Sequence, residues 1–141
     1  SDRFYDLLEN DLLVLNRNQL YQMEGQEDNK VMILSISDKF MNDHYREYYN
    51  QQFECYSREI DLGREKMLNA IRKLLANMMV SYYRQDECYD LEVTSYICQL
   101  LLILIRGFKK KGSVIQKIDT SDKRLLQIID YMEATSSTIK L

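Results

Sequence analysis

One histidine, three cysteines and eleven tyrosines are the side chains of this sequence best suited to chemistry. His44 stands on a segment, Asp38 to about Asn50, that Ser37 opens as an N-cap. Phe40, Met41, His44, Tyr45 and Tyr48 share one face of that helix. An imidazole among aromatics either packs at a rim or touches a ligand. No Cys, His or Asp lies at a helical spacing suited to joining it on a metal, so no metal site is expected. Tyr45, Tyr48, Tyr49 and Tyr56 concentrate in the same region. Their rings can pack, or stack on a small ligand such as a sugar. His44 and Tyr48 are therefore candidate ligand contacts. Cys55, Cys88 and Cys98 are odd in number and form no Cys-x-x-Cys pair, which fits a reducing compartment better than a disulfide framework or zinc site. Lys109-Lys110-Lys111-Gly112 places cations at a helix end, where they suit the dipole and offer a phosphate contact. There is no Gly-rich phosphate loop, Gly-x-Ser-x-Gly, His-Glu-x-x-His or Walker pattern. No catalytic pair of carboxylates stands out, and neither an enzyme nor a cofactor is expected.

The elements that position these groups follow from patterning. The chain has 141 residues, 45% of them hydrophobic and 29% charged, which fits a globular domain or one domain plus a fragment of the next. The net charge of −3 argues against a nucleic-acid surface of its own. The run 93–105 is free of charge but shorter than the ~20 residues a bilayer span needs. With no signal peptide visible, a cytoplasmic location is expected. The chain begins at Ser1 in a strand-like pattern and ends at Ile139-Lys140-Leu141, so a fragment of a longer protein is expected.

Residues 3–36 read as β, with turns at Glu9-Asn10 and Asn16-Arg17-Asn18. Short strands with polar turns predict an antiparallel meander in a small barrel or sandwich, and Gln52–Ser57 reads as a short strand or an extended crossing. A one-sided helix follows from about Gly63 to Tyr83, with Met67, Leu68, Ile71, Leu74, Leu75, Met78, Met79 and Tyr82 on its apolar face. A second helix, 91–108, is apolar over roughly 260° at about 100° per residue. A short connection predicts that the two pack as an antiparallel hairpin. The surplus face of the second helix then belongs to a partner. Ile97, Leu101, Leu104 and Phe108 are the expected dimer interface. Cys98, Leu102 and Ile105 take that place if the hairpin packs the other way round. Residues 112–120 read as a linker. A last helix is predicted over 121–141, with Leu125, Ile128, Ile129 and Met132 at i, i+3, i+4 and i+7.

The order of parts resembles AraC/XylS-type transcription regulators. The stretch LLENDLLVLNRNQLYQM is similar to the end of their cupin-like sensor domain, and SDKRLLQIIDYMEATSSTIKL to the first helix of their helix-turn-helix domain. The resemblance implies an α+β fold, with part of a cupin-like antiparallel β domain followed by an antiparallel helical hairpin and a terminal helix. Residues 1–60 would be the later part of the effector-sensing domain, 61–111 the dimerisation hairpin, 112–120 the linker and 121–141 the start of the DNA-binding domain. It implies a homodimer, DNA contact through the downstream domain, and a small-molecule effector such as a sugar. Tyr21, at a position where the family often carries His, joins the candidate ligand contacts. Arg17 stands where the family often has Pro, and these two departures remove the expectation of a cupin metal site. No DNA-contacting residue falls within this chain. The competing expectation is a stand-alone helical protein-interaction module with no effector or DNA role.

Overall fold

This computed structural model describes residues 3–25, 28 and 30–111, together with the backbone of 126–132 and 137–140. Two long helices dominate, α2 (Glu65–Arg84) and α3 (Tyr89–Gly107), preceded by a short helix α1 (Asp38–His44). Four short strands, β1 (Leu12–Leu15), β2 (Lys30–Ile36), β3 (Leu126–Met132) and β4 (Ser137–Lys140), form one sheet in the order β1-β3-β2-β4. β3 runs antiparallel to both β1 and β2, and β4 runs parallel to β2.

The expected meander over 3–36 is not what the chain builds, and with it goes the cupin-like β domain. Only β1 and β2 fall within the first sixty residues, and they do not pair with each other. The turns themselves form as expected: Asn10 and Asn18 take the left-handed backbone that asparagine tolerates. The flanking segments fail because they gain no burial. Phe4, Leu8 and Leu20 lie in solvent, so pairing there has no apolar face to bury. The expected terminal helix is absent as well. Residues 126–132 and 137–140 are extended, and β3 satisfies the facing edges of β1 and β2. Residues 52–57, read as a short strand or extended crossing, carry isolated bridges at Phe53 and Tyr56.

α1 starts where expected. Ser37 Oγ accepts the Phe40 N–H at 3.1 Å. The helix stops at His44 rather than Asn50 because Tyr45 leaves helical geometry, at φ −138° and ψ 44°. α2 buries Leu68, Ile71, Leu74, Leu75 and Met78, and ends on Gln85 in left-handed conformation. After a tight tip, α3 returns with Val93, Ile97, Leu100, Leu101 and Leu104 buried. These residues, with Leu12, Val14, Met32, Leu34 and Ile36 from the strands, make one core. Leu13 and Leu15 face the other way, into a smaller cluster with Val31, Ile33 and Tyr56.

The base of the hairpin is tied by polar contacts. Arg64 donates to the Gly107 carbonyl at 3.0 Å, placing a cation at the C-terminus of α3, and its guanidinium lies over the Phe108 ring. Beyond α3 the chain pairs with residues 52–54: Glu54 N–H donates to the Phe108 carbonyl and Lys110 N–H to the Gln52 carbonyl, each at 2.9 Å. Asn16, just after β1, joins the far edge of that short ladder. Its amide donates to the Phe53 carbonyl and accepts the Phe53 N–H, both at 2.8 Å. Arg17 stacks over Tyr49 at 3.3 Å and pairs with Asp38 at 3.2 Å. An unbroken set of contacts therefore runs from β1 to the exit of α3. Asn16→Ala removes both bonds to Phe53 and leaves two backbone groups unpaired. The expected loss is about 1–3 kcal/mol in urea unfolding, with the spectrum of the folded protein unchanged.

Candidate functional site

α3 has two apolar faces of different fate. Ile97, Leu101, Leu104 and Phe108, the residues expected to meet a partner, are 0–3% exposed and lie in the core of the chain itself. They cannot reach a second molecule without opening that core. The reason is the rotation of the helix. Phe108 is drawn inward at the base by the backbone bond to Glu54 and by Arg64, and Ile97, Leu101 and Leu104 lie on the same side of the helix.

The face that remains outside carries Leu91, Ser95, Cys98, Leu102 and Ile105. Leu91 is 67% and Leu102 45% exposed, Ser95 and Cys98 are exposed, and Ile105 is half-buried. Their spacing, i, i+4, i+7, i+11 and i+14, is that of a coiled-coil seam. Glu92 and Arg106, both exposed, lie two heptads apart on one flank of it. α2 adds Val80 and Tyr83 to the exposed apolar residues near the hairpin tip.

Tyr45, just after α1, packs against the core that holds α3. Burial pushes the Tyr45 phenol up to about 12, helped by its hydrogen bond to Cys98. Phe40 stacks on His44 with ring centroids 4.5 Å apart, and Tyr45 lies beside both. His44 itself is exposed, with Nδ1 3.0 Å from the Phe40 carbonyl. Tyr48 is half-buried in the single turn after α1. Tyr21 lies apart, exposed in the loop between β1 and β2; among the described residues no hydrogen bond or ring contact joins it to His44 or Tyr48. The structure thus places His44 and Tyr48 close in the chain near Tyr45 and leaves Tyr21 separate. Cys98 was an alternative interface residue and Tyr45 one of the clustered tyrosines, but their proximity to each other was not foreseen. Tyr45 shared the aromatic face of α1, but its approach to α3 is a tertiary contact with no local signature.

The other reactive groups sort by burial. Cys55 is buried, and burial pushes its thiol up to about 12; Cys88 and Cys98 are exposed. Lys109, Lys110 and Lys111 are exposed at the end of α3. Among the described residues no group of three or more His, Cys, Asp or Glu side chains could hold a metal ion, and no helix is long and apolar enough to cross a membrane.

Comparison with known proteins gives a distant relationship. The chain is 23% identical over 123 residues to an uncharacterized HTH-type transcriptional regulator of Staphylococcus aureus strain COL, a match that covers 87% of this chain. Matches of the same extent occur with the uncharacterized HTH-type transcriptional regulators of strains MRSA252 and N315. The aligned region spans 16% of the length of these relatives. No family model and no solved structure matches the chain. The relatives are named as transcriptional regulators.

Two neighbouring leucines separate the faces of α3. Leu101→Glu buries an unpaired carboxylate and costs ~4 kcal/mol or more, enough to unfold or precipitate the chain. At concentrations where the chain is monomeric, Leu102→Glu changes stability by no more than about 0.5 kcal/mol. Urea unfolding of the two variants beside the parent protein checks this.

Proposed function

We propose that this chain is the effector-sensing and dimerisation region of an AraC-type DNA-binding transcription regulator, and that it forms a homodimer through the outer seam of α3. The observation that carries the reading is the match of 87% of the chain to HTH-type transcriptional regulators of which it spans only 16%. A regulatory region of a larger DNA-binding protein fits that proportion. The seam supplies the self-association. In an antiparallel pair related by a two-fold axis, Leu91, Cys98, Leu102 and Ile105 pack against the same residues of the second copy. Glu92 then faces Arg106 of the second copy, and the acidic tip around Asp86, Glu87 and Asp90 faces the basic end at Lys109–Lys111. A parallel pair would set like charges against each other.

Within this reading residues 61–111 are the dimerisation unit, 112–120 the linker and 121–141 the entrance to a DNA-binding domain of the longer protein. The effector is a small molecule such as a sugar, taken up near the aromatic end of α1. His44 and Tyr48 are its proposed contacts there; Tyr21 contributes if its loop closes on the same site. The support for this location is the aromatic group of Phe40, His44 and Tyr45, in which Phe40 and Tyr45 pack against the core that holds α3. An effector that binds one arrangement of α1 better than another would alter the pairing of the two copies. The protein acts in the cytoplasm.

Sedimentation of the chain is expected to give a dimer, and Leu102→Glu a folded monomer. Fused to a DNA-binding domain that holds its operator only as a dimer, the chain should restore operator binding and the Leu102→Glu fusion should not. A monomeric parent protein, or a Leu102→Glu fusion as active as the parent, would overturn the reading.

A further inference from the structure

Tyr49 carries a polar group that the fold does not use. The residue is 1% exposed and belongs to the main core. Its backbone carbonyl accepts a hydrogen bond from Arg17, and the Arg17 guanidinium lies over its ring, 3.3 Å from the centroid. Arg17 also pairs with Asp38 at 3.2 Å, so the ring is clamped to the start of α1, and swinging its hydroxyl out to water would break the stack. Among the described residues that hydroxyl has no hydrogen-bond partner. Asn42, on α1, buries its side-chain oxygen in the same condition. A buried phenol or amide oxygen left unpaired costs stability, and phenylalanine would fill the place of Tyr49 without that cost. Native folds keep few such groups, and each calls for a reason beyond packing.

We propose that the Tyr49 hydroxyl is the polar anchor of a ligand site between the core and the segment 38–49, that Asn42 is a second contact, and that the ligand is a neutral molecule with several hydroxyl groups. The class follows from what the two atoms lack. The phenol has a proton to give to an acceptor, and the amide oxygen needs a donor. An alcohol hydroxyl serves either one. A carboxylate or phosphate oxygen only accepts, and an ammonium only donates. Arg17, engaged with Asp38 and with the Tyr49 carbonyl, is a positioning residue that fixes the ring and so the place of the hydroxyl. Entry is through the turn Arg46–Tyr48, a single turn with no side-chain cap. It joins α1 at Tyr45, which is outside helical geometry, so the turn can lift without unwinding the helix. This deepens the effector reading above and rests on it for the place of the ligand: Asn42 and Tyr49 flank His44 and Tyr48 in the chain.

Thermal unfolding of the 141-residue chain, alone and with a set of neutral pentoses, hexoses and sugar alcohols, tests the proposal, with calorimetric titration of any compound that raises Tm. At least one of them is expected to stabilise the parent protein. Tyr49→Phe removes the hydroxyl and keeps the ring. Alone it should melt no lower than the parent, since no bond is lost, and it should bind the same compound about tenfold more weakly. Asn42→Leu should weaken that binding as well. A Tyr49→Phe chain that melts below the parent would place the hydroxyl in a bond of the fold itself and overturn the proposal. Affinity unchanged in either variant, or no compound that binds the parent, overturns it too. Binding that survives both substitutions leaves the effector reading standing with a different site, and the regulator reading is decided separately by the dimer mass and the fusion assay.

Discussion

A helix with apolar residues over most of its circumference cannot bury all of them in one hairpin, and the rest of this structure depends on how that excess is divided. α2 is one-sided and covers a single face of α3. The strands and Phe53 close the remainder of the inner surface, so Val93, Ile97, Leu100, Leu101 and Leu104 disappear into one core. Leu91, Cys98 and Leu102 are left outside at heptad spacing. Each leucine left in water forgoes roughly 1.5–3 kcal/mol of burial. The dimer proposed above forms on this seam, and its flanking charges favour an antiparallel pair.

The division is held by a small number of polar contacts at the base of the hairpin. Arg64 closes the C-terminus of α3 against the start of α2. Asn16 bonds both backbone groups of Phe53, and the neighbouring residues 52 and 54 pair with the exit of α3. Arg17, stacked on Tyr49 and paired with Asp38, fixes the start of α1 to the same region. At its other end Phe40 and Tyr45 pack against the core that holds α3. The sheet side and the helical side are therefore linked at two places along α3.

Local periodicity made the hairpin legible, and its observed limits differ from the expected ones by one or two residues. The left-handed turns at Asn10 and Asn18 were also legible, because asparagine in a polar turn carries its own backbone preference. β1 and β2 fall inside the stretch read as β, but their pairing was not legible. Phe4, Leu8 and Leu20 have the residue types of a sheet but no partner surface, and β3 comes from a segment whose spacing is helical. Only long-range pairing decides such cases. The width of the apolar arc on α3 revealed an outer face, but not which residues occupy it. That choice is a rotation of the helix set by Phe108 and Arg64. Asn16 and Arg17 were visible as a turn, whereas their roles as a bridge to Phe53 and a stacked cation are tertiary.

Cys98 lies at the middle of the seam and Cys88 at the open tip of the hairpin, so the two thiols report on the interface within one molecule. The most direct measurement is their rate of alkylation in the native protein at concentrations above dimer dissociation. Antiparallel pairing through the outer face of α3 predicts that Cys98 reacts much more slowly than Cys88, and that dilution or Leu102→Glu removes the difference. A Cys98 that reacts as fast as Cys88 at every concentration would contradict the account.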